Sequence, residues 1–132
     1  MKGVVFTEFQ EMVEHHFGME MYDRLVQQCT LSSGGAYTSI GTYDHAELLQ
    51  MVTVLSSETG TEVSDLVQAF GAHLLTRFSL AYPQFFERTN SAMDFLASVE
   101  SYIHVEVRKL YPEAELPEFT FEQIGDDCWE MR

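Results

Sequence analysis

Ile103-His104-Val105-Glu106-Val107-Arg108-Lys109-Leu110-Tyr111-Pro112 closes the longest helical pattern in the sequence, and its surroundings decide the fold. Upstream, Ala92 to Leu110 reads as one helix that Ser91 or Asn90 can cap. Downstream, Pro112 and Pro117 end helical structure, because proline lacks an amide proton and disfavours helical geometry at the residue before it. At about 100° per residue counted from Phe95, the side chains of Phe95, Leu96, Val99, Ile103, Val107 and Leu110 share an arc of about 120°, the core face. His104 falls at about 180°, on the flank, between Glu100 on one side and Ala97 and Arg108 on the other. Periodicity therefore predicts an exposed or half-exposed imidazole. A second packing partner on that side, protein or ligand, would change its role, and small Ala97 and Ser101, one turn earlier, leave room for one.

Toward the N-terminus, Val5, Phe6, Phe9, Met12, Val13 and Phe17 recur at spacings of three and four between Lys2 and Phe17, as an amphipathic helix requires. Gly18 is a stop, and a second short helix is predicted over about Met19 to Cys29. Leu31-Ser32-Ser33-Gly34-Gly35 is the clearest loop. Residues 36–43 are rich in β formers but short, and read either as a strand or as an ordered crossover. Asp44 has N-cap chemistry, with Glu47 in the capping-box position three residues on. The helix behind it carries Leu48, Leu49, Met51, Val52 and Leu55, and ends near Gly60. Thr61 repeats the capping signal, with Ser64 and Asp65 in the first turn. Leu66, Val67, Phe70, Leu74, Leu75 and Phe78 form the next apolar stripe, which Tyr82-Pro83 breaks before a short Gln84–Glu87 turn.

Beyond the prolines, Glu118-Phe119-Thr120-Phe121-Glu122-Gln123-Ile124 alternates as a strand does. Gly125-Asp126-Asp127 supplies turn residues, and Cys128-Trp129-Glu130-Met131 can pair back as a hairpin. An isolated hairpin is marginal, so this tail needs more strands or a helical surface to lean on.

Seven Lys+Arg against 21 Asp+Glu leave a net charge of −14, which excludes phosphate-driven nucleic-acid binding and disfavours anionic lipid. Hydrophobic residues at 45% and aromatics at 13% are enough for a core and exclude disorder. At 132 residues the chain has the length of one domain and needs no disulfide staple. No apolar run approaches the roughly 20 residues of a membrane span, and acidity begins at Glu8, too early for a secretory signal. Cys29 and Cys128 make no metal pattern and read as reduced thiols of a cytoplasmic protein.

No GxSxG, GxGxxG, Walker loop or HExxH is present, and no two carboxylates form a recognisable acid/base pair, so an enzyme is not expected. His15 and His16 are adjacent, so on a helix they point about 100° apart and cannot chelate one metal together. His45 reads as exposed in a first turn, and His73, beside an apolar stripe, as a partly buried structural imidazole.

The run from Ile103 to Pro112 resembles the haem-ligand helix of the haem–nitric oxide/oxygen binding (H-NOX) family. Other segments are similar to that family in the same order: Met1-Lys2-Gly3 opening a helix, Gly35 through Tyr43, Ala69-Phe70-Gly71, and Pro117 thirteen residues after His104. The resemblance covers essentially the whole chain. It implies a b-type haem with His104 as the proximal iron ligand and Pro117 pressing on the haem. It further implies Ala97 and Ser101 beside the cofactor and a distal side lined by Val5, Phe9, Leu74 and Phe78. These distal side chains are apolar; O₂ would find no hydrogen-bond donor among them, whereas NO and CO bind ferrous haem without one. The implied module senses nitric oxide, or CO or O₂, and in bacteria typically regulates a histidine kinase or a cyclic-di-GMP enzyme. In the scheme the family suggests, NO weakens the bond to His104 and relaxes strain between helical and β parts.

The implied fold class is α+β, mainly α: one H-NOX-like domain over 1–132, with N-terminal helices in 1–60, haem-pocket helices in 61–111 and a partial β region in 112–132. The family's propionate clamp, Tyr-x-Ser-x-Arg, follows the segment aligned with Trp129-Glu130-Met131-Arg132, so no residue here is assigned to the propionates. The sequence reads as cut before that motif, as a fragment or a natural remnant. The few cations near the expected haem are Arg108, Lys109 and Arg132. A second reading follows from the missing clamp: a haem-free helical module that keeps the scaffold and docks a partner protein.

Overall fold

The computed structural model describes residues 1–112, 114, 116–125 and 128–132, with Leu110 described by its backbone. They fall into two compact units, Met1–Ala81 and Tyr82–Arg132. The architecture is the expected one, mainly helical with a two-stranded antiparallel sheet at the C-terminal end.

The first unit is built from α1 (Gly3–Phe17), α2 (Met19–Gln28), α3 (His45–Thr59) and α4 (Val63–Ala81). Phe6, Phe9, Met12 and Val13 of α1 are buried, as their spacing predicts, and meet Leu25 of α2, Met51 and Leu55 of α3 and Phe70 of α4 in one core. Gly18 ends α1, and Gly60 ends α3 at φ 69°, where its N–H donates to the Ser56 carbonyl. A left-handed residue in that place favours glycine, which lacks a Cβ to clash. Residues 36–43 are the crossover rather than a strand: a lone bridge joins Lys2 to Thr42, and the Gly3 N–H donates to Gly41 O at 2.8 Å. This passage is tight enough that a Cβ on Gly3 would lie 1.8 Å from the Thr38 carbonyl oxygen. Tyr37 then stacks on Phe6 at 4.5 Å between ring centroids, and Tyr43 meets the same ring edge-on at 5.5 Å.

Two local readings need correction. Asp44 caps α3 through Oδ1, which accepts from the Ala46 N–H at 2.9 Å, but Glu47 does not complete a capping box. Its buried carboxylate turns to the preceding loop and accepts from the Ser32 and Ser33 hydroxyls, the Ser33 N–H and the Tyr37 hydroxyl. Four donors outcompete one exposed backbone N–H. Thr61 does not cap α4 either; its carbonyl accepts from Ser56 Oγ at 2.6 Å, and the Asp65 and Leu66 N–H groups donate to Glu62 O. Of the predicted α4 stripe, Leu66 and Phe70 are buried and Leu74 and Phe78 half-buried, while Val67 and Leu75 turn out to be exposed.

The second unit begins where Pro83 breaks the helix, with α5 (Pro83–Phe86), and continues through α6 (Ala92–Ser98), a π-helical turn (Val99–Ile103) and α7 (His104–Leu110). Ser91 caps α6, its hydroxyl accepting from the Asp94 N–H at 3.1 Å. The predicted helix from Ala92 to Leu110 thus has the right ends but is not uniform, because the His104 N–H donates to Val99 O, five residues back. Strands β1 (Phe121–Gly125) and β2 (Cys128–Met131) pair antiparallel, with Phe121 opposite Met131 and Gln123 opposite Trp129, and an irregularity between Gln123 and Gly125. The strand begins three residues later than its alternation suggested, and the predicted turn residues Asp126 and Asp127 lie outside the described residues.

Candidate functional site

His104 is the first residue of α7, directly after the π-helical turn. It is 7% exposed, which overturns the exposed imidazole predicted from a uniform wheel. Two physical causes act together. A π turn is wider than an α turn, so residues after it are rotated relative to a count at about 100° per residue. The Phe119 ring also stacks on the imidazole, 5.8 Å between centroids at 30° between planes.

His104 Nδ1 lies 2.7 Å from Glu100 Oε2, and the other Glu100 oxygen lies 3.7 Å from Arg108 Nη1. An ionised carboxylate can only accept, so Nδ1 carries the proton, and in the neutral imidazole Nε2 then keeps a lone pair. The bond to His104, aided by the Arg108 charge and a backbone hydrogen bond from Phe119, holds the Glu100 carboxyl below the usual carboxylate range against an opposing push from burial. Among the described residues no group of three or more His, Cys, Asp and Glu could hold a metal ion. What His104 offers is one oriented imidazole nitrogen with its other nitrogen bonded to a carboxylate. That donor set suits an axial ligand of a cofactor-held iron, not a cage made of protein side chains.

The other site residues expected from the sequence fall in both units. Val5 and Leu74 are half-buried against the core of the first unit, and Phe9 is wholly buried in it, edge-on to Phe70 at 5.3 Å. Phe78 is half-buried on α4. In the second unit Ala97, Ser101 and Pro117 are exposed. Arg108, Lys109 and Arg132, the candidate cations, each pair with a carboxylate: Glu100, Glu106 at 2.7 Å and Glu130 at 2.9 Å.

Away from His104, the remaining imidazoles behave as expected. His15, His16 and His45 are exposed, and His73 is half-buried, its Nε2 3.0 Å from the Glu8 carboxylate that Arg77 also contacts at 2.9 Å. Cys29 and Cys128 are free thiols. Among the described residues no helix is long and apolar enough to cross a membrane.

Sequence reasoning missed Glu100 and Phe119. For Glu100 a signal existed, because residues four apart on a helix are neighbours. For Phe119, beyond two prolines, no short-range pattern points back to His104.

Comparison with known proteins identifies the family. The Haem-NO-binding (HNOB) family model matches residues 2–132. The chain is 43% identical to the H-NOX protein of K. algicida, whose unliganded Fe(II) crystal structure superposes with a TM-score of 0.93 over 99% of this chain and 71% of that one. It is 44% identical to the H-NOX of Shewanella woodyi, solved in solution with IWP-051 bound in the Fe(II)CO state, at a TM-score of 0.84 over 99% of this chain and 69% of that one. It is also similar to soluble guanylate cyclase 89Db of Drosophila melanogaster, 26% identical over an alignment of 129 residues that covers 96% of this chain but 19% of that protein. The chain thus spans about a fifth of the length of this curated relative. With a family match from Lys2 to Arg132 and 43% identity to a solved H-NOX protein, this chain belongs to the haem-NO-binding, or H-NOX, family.

Proposed function

We propose that this chain is a haem-based gas-sensing module for nitric oxide, in which His104 would hold the iron of a b-type haem, with no catalytic activity of its own. The observation that carries the reading is the His104–Glu100 pair, a nearly buried imidazole whose Nδ1 is bonded to a carboxylate 2.7 Å away. No Cys-x-x-Cys-His attachment sequence is present, so the cofactor would be held without covalent links. Bound haem supplies a ferrous centre for a diatomic gas. The chain's own residues do the rest: Nε2 of His104 donates its lone pair, and Phe119 shields one face of the ring. Ala97, Ser101 and Pro117 would flank the cofactor, and Val5, Phe9, Leu74 and Phe78 would provide the gas with apolar surroundings. These apolar side chains give O₂ no donor, which favours NO or CO. Residues 1–60, 61–111 and 112–132 act in this reading as parts of one domain. The partner is a signalling enzyme in the cytoplasm, a histidine kinase or a cyclic-di-GMP enzyme.

The test is an absorption spectrum of reconstituted ferrous protein with and without NO. A Soret band that shifts on adding NO and is lost or altered in His104→Gly is the expected result; an unchanged haem spectrum in His104→Gly sinks the ligand assignment. A second reading, the haem-free helical docking module, draws on the pairing of Arg108, Lys109 and Arg132 with acidic neighbours, which leaves their charges partly spent before a propionate arrives. Pure protein with no Soret band after reconstitution would favour it.

A further inference from the structure

Glu100 is more than a helix-surface partner of His104. An exposed ion pair four residues apart contributes little and leaves both side chains free to move. Here the imidazole is 7% exposed, and the carboxylate is held from several directions. Oε2 accepts from His104 Nδ1 at 2.7 Å, Oε1 faces Arg108 Nη1 at 3.7 Å, and the Phe119 backbone supplies a further hydrogen bond. Phe119 acts twice, since its ring stacks on the imidazole that the carboxylate holds. Glu100 also sits inside the π-helical turn whose last hydrogen bond is made by the His104 N–H. Such turns are rare in helices and concentrate at functional sites.

We propose that Glu100 is the positioning residue of the haem ligand: it fixes His104 as the Nδ1–H tautomer, presents Nε2, and raises the donor strength of that nitrogen, while Arg108 tempers it. The proposal rests on the haem-ligand reading above for its consequence, though not for its geometry. A carboxylate bonded to Nδ1–H pulls the proton toward itself and gives the ring imidazolate character, which strengthens donation from Nε2. The Arg108 guanidinium draws on the same carboxylate, so it works in the opposite direction.

The experiment uses the full chain, once without haem and once loaded. In ¹⁵N-labelled haem-free protein at about pH 8, above the ordinary imidazole range, long-range ¹H–¹⁵N spectra report which ring nitrogen of His104 is protonated. The expected result is Nδ1–H in the unaltered chain and in Glu100→Gln, whose amide oxygen still accepts, and a shift toward Nε2–H in Glu100→Ala. In loaded ferrous protein, resonance Raman reads the iron–histidine stretch. That band should move to lower frequency in Glu100→Gln and further in Glu100→Ala, and to higher frequency in Arg108→Gln. Haem affinity of Glu100→Ala should fall about 10–100-fold. A purely structural role for Glu100 would not give opposite shifts for Glu100→Gln and Arg108→Gln. Nε2–H in the unaltered chain, or a tautomer and band that ignore Glu100→Ala, overturns the proposal. A tautomer switch in a chain that takes up no haem sinks the haem reading instead and upholds Glu100 as the residue that orients the ring. Glu100→Gln is nearly isosteric, and a helical circular dichroism spectrum matching the unaltered chain confirms that it folds.

Discussion

Each unit holds a glutamate with several hydrogen-bond or charge partners, and the two glutamates are used in opposite ways. In Met1–Ala81, Glu47 is buried and receives neutral donors, the hydroxyls of Ser32, Ser33 and Tyr37. Burial pushes its carboxyl up, but those hydrogen bonds and the Ser33 N–H outweigh burial and bring it down to about 2. In Tyr82–Arg132, Glu100 stands half open to solvent and receives an imidazole and a guanidinium. Glu47 ties a loop to a helix next to a core, while Glu100 aims a side chain. The apolar residues differ likewise. Every buried apolar side chain among the described residues lies in the first unit, and His104 is the buried side chain of the second. Aromatic rings there meet in pairs, Phe86 on Phe95 at 4.5 Å and Phe121 on Trp129 at 5.0 Å. A buried large apolar side chain contributes about 1.5–3 kcal/mol, a stacked pair about 0.5–1.5 kcal/mol. The first unit therefore has the means to hold a shape, and the second relies on local pairs around an oriented histidine.

Substitutions can break this contrast. The largest effect belongs to Phe9→Ala, which empties a wholly buried position and should cost about 4 kcal/mol in denaturant unfolding. Phe86→Ala in the second unit should cost about 1 kcal/mol in the same measurement, and equal losses would mean that the second unit has a core of its own.

Next comes Glu47→Gln, at about 3 kcal/mol near neutral pH, with a pH signature. The folded-state carboxyl is lowered from 4.5 to about 2, so its contribution is fully present above about pH 4.5 and is lost as pH falls through about 2. Acid titration of thermal stability should show that decline in the unaltered chain and a flatter one in the variant.

Gly3→Ala follows, at about 2 kcal/mol in thermal unfolding, because its methyl would collide with the Thr38 carbonyl where α1 meets the crossover. Trp129→Ala shares the smallest expected effect with Phe86→Ala, about 1 kcal/mol from the lost stack on Phe121. Amide exchange sharpens the comparison further: β1 and β2 amides should exchange well before those of α1 and α3, and protection as strong in the hairpin would refute the picture.

Much of the fold was legible because its signals are local. The Asp44 and Ser91 caps, the stops at Gly18 and Gly60 and the break at Pro83 each depend on a few neighbouring residues, and all stand where the sequence put them. Glu47 shows where locality fails. Its spacing from Asp44 satisfied the capping box, yet donors fourteen and fifteen residues earlier claimed it once the loop folded back. The π turn also escaped notice, since nothing in Val99-Glu100-Ser101-Tyr102-Ile103 marks a change of hydrogen-bond partner from the fourth residue back to the fifth.

By itself, the sequence determined the helical segments, the core face of α1 and the hairpin, because residue spacing and backbone propensity act over a turn or two. The family pattern singled out His104 without saying how it would be held. Only the tertiary structure decided that His104 is covered rather than exposed, that its Nδ1 is bonded to Glu100, and that Phe119 lies across its ring. A contact across fifteen residues and two prolines has no period for a sequence to display; it exists once the chain has turned back on itself and the imidazole has an aromatic face to rest against.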